Sequence, residues 1–390
     1  MKFFSLSKIP LAKNHFIFLL FSWLLVQGFL LWKNGIVTGL EAEKYITLAN
    51  HFLQYGNFSS NNYYLYSTQI FLIAAVIKFH LGYPVIVFIQ LLLNLFATIM
   101  FYKLALSFLK KPIIVLIVTF FFIINIPYQV YNSSLFTESI FYSLTIIYSS
   151  YLLRLNKLTI KHLLFILFFI ALLSITRPTG ILFFAATAIY FFFYFLNNLR
   201  VLYKVLIIGS SFIIFLAIIN TLLQAGGSLD FMLPFKKENI ICGVNTTNNV
   251  EIKTFEKGNS LQGLVYYIFN NEQQFLKLAR LKTFSFFGLI RDYYSSLHNV
   301  LLIIFFYPFY ILSMWGILKK IKQKDKKFIY MGSIVMLYWI TTLLTCDDWH
   351  NRFILTVSPF LFLLGFAAFS GVGGFNNVGF TSKGLSKENL

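Results

Sequence analysis

Glu41 is the residue whose position most suggests chemistry. It lies in Thr38-Gly-Leu-Glu41-Ala-Glu43-Lys-Tyr45, just after the first long apolar run, in a chain of 390 residues with only 13 Asp and Glu. Spacing predicts a short helix ending at Gly56. Glu41, Tyr45, Leu48, Ala49 and Phe52 form one stripe, and Glu43, Thr47, Asn50 and Gln54 lie on the other side. An inward carboxylate beside a membrane surface can act as a general base or hold a cation. Thr38-x-x-Glu41 also fits a capping box, in which the acid reaches back to the N-cap amide. The two readings are compatible.

Four other places carry candidate groups. Glu138 opens an apolar run, where a helix dipole favours a carboxylate and where ionisable residues are functional candidates. Arg177, in Thr176-Arg177-Pro178-Thr-Gly180, precedes the first turn of the next run. There a guanidinium and free N–H groups can seat a phosphate, or the arginine can pair with Glu138 across the bundle. Between Glu272 and Tyr294 the pattern is a basic amphipathic helix, with Lys277 and Arg280 sharing a face suited to lipid phosphates. Asp347, Asp348, His350 and Arg352 crowd the entrance to the last run. Asp-Asp-x-His is part of a ligand set for a divalent metal but is incomplete alone, and Arg352 has the spacing to pair with Asp348. His298 is a lone histidine at the edge of a run. Phosphate-binding glycine loops, Ser-His-Asp arrangements and dinucleotide fingerprints are missing from the sequence.

The elements that must position these groups are transmembrane helices. The chain is 58% hydrophobic, 20% aromatic and 12% charged, with mean hydropathy +0.75, a composition outside the soluble range. Apolar runs of about 15 to 23 residues separated by Lys/Arg-bearing breaks indicate an all-α polytopic bundle, not a barrel. The net charge of +19 is then a matter of sidedness, not of nucleic acid. Spans are expected at about 14–32, 83–102, 112–126, 137–153, 162–176, 178–196, 202–223, 299–318, 328–346 and 353–370, ten in all. Spans 112–126 and 162–176 are short and are expected to extend further. Residues 68–81 are apolar but too short to span. Treating them as interfacial puts the basic breaks at 103–111, 154–161, 200–204 and 319–327 inside, with both termini, and nearly all the acids outside. Trp32, Tyr83, Tyr102, Tyr128, Tyr307, Tyr310 and Trp315 are expected as interfacial anchors. Residues 1–370 form the membrane domain, 33–82 and 224–298 its outer loops, and 371–390 a flexible cytoplasmic tail. Cys242 and Cys346 fall on the same, outer side, where one bridge is possible. Asn57, Asn132 and Asn245 begin glycosylation sequons.

Several stretches together resemble one family. Glu41-Ala-Glu-Lys-Tyr45-x-x-x-Ala49, Gly56, the tyrosines at 63, 64 and 66, Thr137-Glu138, Thr176-Arg177-Pro178-Thr-Gly180, Tyr293-Tyr294-Ser-Ser-x-His298-Asn299 and Arg352-Phe-x-x-x-x-x-Pro359 are similar to the GT-C membrane glycosyltransferases. The likeness is greatest to the bacterial relatives of protein O-mannosyltransferases and of the aminoarabinose-to-lipid A transferase. It implies an inverting transferase of the cell inner membrane with its active site on the periplasmic face. The sugar, hexose or pentose, would pass from a polyprenyl-phosphate donor to a glycan, lipid or protein acceptor in envelope glycan or polysaccharide biosynthesis. Glu41 corresponds to the family's first-loop acid, usually Asp, with Glu138 the alternative base. Arg177, and then Arg352, would meet the donor phosphate, with Lys277, Arg280 and His298 as further donor contacts. A divalent metal remains an option for Asp347, Asp348 and His350. Two other functions fit the same residues: a transporter or flippase of a lipid-linked saccharide, and a non-catalytic subunit of a polysaccharide assembly complex.

Overall fold

The computed structural model describes residues 13–194, 200–224, 232–244, 251–255 and 258–370. The expected cytoplasmic tail, 371–390, and the sequon at Asn245 lie outside the described residues. Within them the chain is all-α, apart from two isolated parallel bridges, Val37 with Ser134 and Ile241 with Asp347. Its apolar helices are those of a membrane protein.

The helices in order are α1 (Lys13–Asn34), α2 (Glu41–Tyr55), α3 (Ser67–Lys78), α4 (Pro84–Leu109), α5 (Pro112–Ile123), α6 (Ile126–Gln129), α7 (Thr137–Leu152) and α8 (Ile160–Thr176). They continue with α9 (Ile181–Tyr194), α10 (Val201–Gln224), α11 (Met232–Lys236), α12 (Leu261–Asn270), α13 (Glu272–Gly288), α14 (Ser296–Lys322), α15 (Lys327–Leu344) and α16 (Arg352–Ala367). By length and composition, α1, α4, α14, α15 and α16 together with the turn before it (Trp349–Ala367) could each cross a bilayer. The bent pair α5 and Ile126–Ser133, at 57°, makes a sixth if taken as one span. Helices α8 and α9 are apolar but shorter.

The short runs do not lengthen as expected. Helix α5 stops at Ile123 and α8 gains only two residues at its start. After α5 the chain folds back into the bundle, held by side-chain amides. Asn125 Nδ2 donates to Ser358 Oγ at 3.2 Å and Gln129 Nε2 to the Phe122 carbonyl at 3.0 Å. Asn132 Nδ2 reaches Gln129 Oε1 and Gln27 Oε1 at 3.0 and 3.3 Å. Away from water, such groups persist only when paired. Asn132 is 2% exposed, so its sequon is not an acceptor in the folded chain. Trp32 and Trp315 are exposed as anchors should be, whereas Tyr102 and Tyr128 are core residues, a correction to the expected belt.

Two polar clusters mark opposite ends of the long helices. At one end the lysines of the α14–α15 turn donate to carbonyls that end other helices: Lys319 to Ala368 at 2.9 Å, Lys326 to Phe193 at 2.6 Å, Lys327 to Ser107 at 3.2 Å and Lys320 to Phe108. Cations at helix C-termini answer both the unpaired carbonyls and the dipole. Close helix approach helps to draw these ends together. A Cβ on Gly316 would lie 1.8 Å from the Leu364 carbonyl, so only glycine lets α14 touch α16 there.

At the other end lie the start of α2, the start of α7, the α8–α9 junction and the α15–α16 junction. Helix α3 stays at this end. Thr68 at its start accepts from Thr176 Oγ1 at 2.9 Å, and Pro84 just beyond it lies above Gln90, whose Nε2 donates to the Ser134 carbonyl at 3.1 Å. Twelve residues rise about 18 Å, short of the roughly 30 Å hydrocarbon core.

Candidate functional site

Helix α2 has the expected faces. Tyr45, Leu48 and Ala49 are buried, Glu43, Thr47, Asn50 and Gln54 are exposed, and Gly56 ends the helix in the left-handed conformation with its N–H on the Phe52 carbonyl at 2.9 Å. The capping box does not form. Leu40 is the N-cap, no side chain caps the turn, and the Glu41 carboxylate points elsewhere. Tyr45 Oη donates to its Oε1 at 2.6 Å and Arg352 Nη1 donates to its Oε2.

Arg352 also holds Glu138, whose Oε1 lies 3.0 Å from the same Nη1. Arg177 donates to that Oε1 through Nη1 and to Asp348 Oδ2 through Nη2 at 2.9 Å. A continuous chain Glu41–Arg352–Glu138–Arg177–Asp348 thus joins four segments distant in sequence. Glu138 is 0% exposed and both arginines 8%. Three acids alternate with two guanidiniums, and burial of that many charges is tolerable only because each is paired. The Tyr131 and Phe136 rings flank Arg352, and the backbone pairing of Val37 with Ser133 and Leu135 ties the α1–α2 linker to the segment that delivers Glu138. Gly180 allows the turn after Arg177 to fold onto α8, since a Cβ there would lie 2.2 Å from the Leu173 carbonyl.

Burial alone would raise the Glu41 carboxyl. Arg352 and Arg177, with the hydrogen bonds from Tyr45 and Arg352, outweigh it and hold the group at about 2. Lys44, which sequence reasoning did not single out, is the third cation here. Its Nζ sits 4.6 Å over the Tyr66 ring, 5.3 Å over Tyr45 and 5.7 Å over Tyr63, and its charge is felt by Glu41, both arginines and Glu138. Among the described residues no carboxylate is within ion-pair distance of it. The signal that could have found it is the spacing of tyrosines: Tyr45 beside it in sequence and a Tyr-rich segment shortly after.

The remaining candidates are placed differently. Arg352 pairs with Glu41 and Glu138, not with Asp348 as its spacing allowed. Asp347 and Asp348 diverge: Asp347 Oδ2 accepts from Ser285 Oγ at 2.8 Å and from Arg291 Nη2, while Asp348 turns to Arg177. With His350 they form no ligand set, and among the described residues no group of three or more His, Cys, Asp or Glu could hold a metal ion. Lys277 pairs with Glu238 at 3.2 Å and Arg280 lies over Phe284, so neither reaches the cluster. The buried basic residue of α13 is Lys282, donating to the Leu343 and Thr345 carbonyls. His298 stacks on Tyr294 at 4.1 Å, and Tyr294 Oη lies 3.4 Å from His350 Nδ1, a column at the rim of the cluster and not in it.

Cys242 and Cys346 are bonded, and the backbone runs on from that link, Asp347 N–H donating to the Ile240 carbonyl at 2.8 Å and Cys242 N–H to the Asp347 carbonyl at 2.9 Å. The segment 232–244 is thereby fastened to the turn that presents Asp348. Comparison of the chain with protein families, with characterised proteins and with solved structures finds no match.

Proposed function

We propose that the protein is a membrane glycosyltransferase that moves a sugar from a polyprenyl-phosphate donor to an acceptor hydroxyl at the non-cytoplasmic face of a cell membrane. The observation that carries this reading is the convergence of Glu41, Glu138, Arg177 and Arg352 from four separate segments at one end of the helices. The lysine-rich opposite end is the cytoplasmic one by the positive-inside rule, and a disulfide beside the acid cluster suits an oxidising compartment. On this topology the ten apolar runs are spans.

In the reaction the acceptor oxygen attacks the anomeric carbon, the bond from that carbon to the phosphate oxygen breaks, and polyprenyl phosphate leaves with the electron pair. The acceptor proton passes to a carboxylate. Glu41 suits this role better than Glu138, because its side chain is 24% exposed and that of Glu138 is sealed at 0% between two arginines. A carboxylate held at about 2 is a feeble base, however. An arriving phosphate draws Arg352 towards itself, and loss of that partner raises the basicity of Glu41 when the donor is in place. With both arginines committed to carboxylates in the resting state, Lys44 is the cation at hand to receive the phosphate first and to offset its charge as it leaves.

The test is transfer from radiolabelled polyprenyl-phosphate sugars in vesicles containing the purified protein. New glycosidic bonds should form, and Glu41→Gln should lower their rate by about 10² to 10⁴-fold with melting retained. Full transfer by Glu41→Gln sinks the assignment of the base. Counterflow of the labelled lipid-linked sugar without any new bond points to a carrier instead.

A further inference from the structure

A narrow groove, open on one side, runs between α1 and α4 at the end of the molecule remote from the acid cluster. Phe16, Leu20 and Trp23 form one wall, Leu95 and Ile99 the other, and buried Thr119 of α5 the floor. A hydrogen bond closes each end. Trp23 Nε1 donates to Asn94 Oδ1 at 2.8 Å, and His15 Nδ1 lies 3.3 Å from Tyr102 Oη. From His15 to Trp23 the helix rises about 12 Å, close to the depth of one leaflet. The lining is apolar except at the His15 end, where the chemistry changes sharply. Lys13 lies in the same turn as His15, Lys103 follows Tyr102, and Arg154 is near enough to Lys103 for their like charges to repel. Among the described residues none of these three cations has an ion-pair partner.

We infer that this groove binds an anionic phospholipid, one acyl chain lying along α1 and α4 and the phosphate resting among Lys13, Lys103 and Arg154. Dispersion and burial favour any chain in an apolar slot, but only a negative headgroup relieves the repulsion between the cations at its end. Those cations lie at the same end as the lysines that cap α4 and α16, the end facing the leaflet where anionic lipids attract basic residues. The site is independent of the transferase reading.

The experiment is native mass spectrometry of the purified full chain in detergent, titrated with phosphatidylglycerol or with phosphatidylcholine of the same acyl chains. Each basic residue near a headgroup contributes about fivefold, so phosphatidylglycerol should bind at least about tenfold more tightly. The double variant Lys103→Gln/Arg154→Gln should bring the two lipids level while phosphatidylcholine still binds. Leu20→Trp, which fills the slot from its open side, should remove both lipids with the melting temperature unchanged. Equal binding of the two lipids to the wild-type chain, or a preference that survives the double variant, overturns the inference.

Discussion

Arg352 donates to Glu41 across a separation of 311 residues, joining the first residue of α2 to the first residue of α16. The same guanidinium nitrogen holds Glu138, so one arginine sets the distance between the two carboxylates that could serve as base. The two acids differ in consequence. Glu41 has a partly open side chain and a tyrosine partner, and Glu138 is the sealed centre of the charge chain.

Glu138→Gln should destabilise far more than Glu41→Gln. It leaves two buried guanidiniums without the carboxylate they share, a loss on the order of 3–5 kcal/mol, visible as a much lower melting temperature in detergent. Glu41→Gln should melt near the wild type and lose transfer. Similar melting losses in both variants would contradict the division of roles.

Lys44→Gln should fold normally and weaken the donor. Its ammonium touches tyrosine rings and no carboxylate among the described residues, so removing it strands no charge. The apparent KM for the lipid-linked sugar should rise about tenfold, on the scale of one charge-assisted contact, and Lys44→Arg should recover part of it. A kcat loss at unchanged KM would place Lys44 elsewhere in the cycle.

The Glu41 carboxyl is depressed from 4.5 to about 2 in the fold, against burial, by Arg352, Arg177 and the hydrogen bonds to Tyr45 and Arg352. For a depressed acid the native state binds fewer protons than the unfolded one, so its stabilisation is complete above about pH 4.5 and is lost as the pH falls towards 2. Melting curves from pH 6 to pH 2 should therefore show a steeper acid loss for the wild type than for Glu41→Gln. Parallel curves would mean that the ion pair with Arg352 is not kept in solution.

Reduction of the Cys242–Cys346 bond should loosen the segment 232–244 first. The bond closes a loop of 104 residues, and bridges of this kind typically contribute about 2–4 kcal/mol. Hydrogen exchange should rise at 232–244 and at the Asp348 turn under reductant, while α4 and α16 stay protected. Cys242→Ser should show the same pattern without reductant.

What the sequence determined by itself was the class of molecule and the local elements. Composition and apolar runs dictate helices because an unpaired backbone is prohibitive in hydrocarbon, and the faces of α2, the stop at Gly56 and a helix starting at Glu272 follow from spacing along one chain, although that helix ends at Gly288 and not at Tyr294. The types of residue at the site, two acids and two arginines beside apolar runs, were legible for the same reason: charge there is rare. Only the tertiary structure decided who meets whom. Thr38-x-x-Glu41 reads locally as a cap, yet a full guanidinium outcompetes a backbone amide for the carboxylate once the start of α16 meets the start of α2. Asp347 and Asp348 read as neighbours in a metal site, yet one residue of backbone turns them towards different arginines. For Lys44 the nearby tyrosines were only a hint of its surroundings, since Tyr63 and Tyr66 reach it only after the chain has turned back on itself. Pairings of this kind depend on distances between segments far apart in sequence, and no periodicity within a segment encodes them.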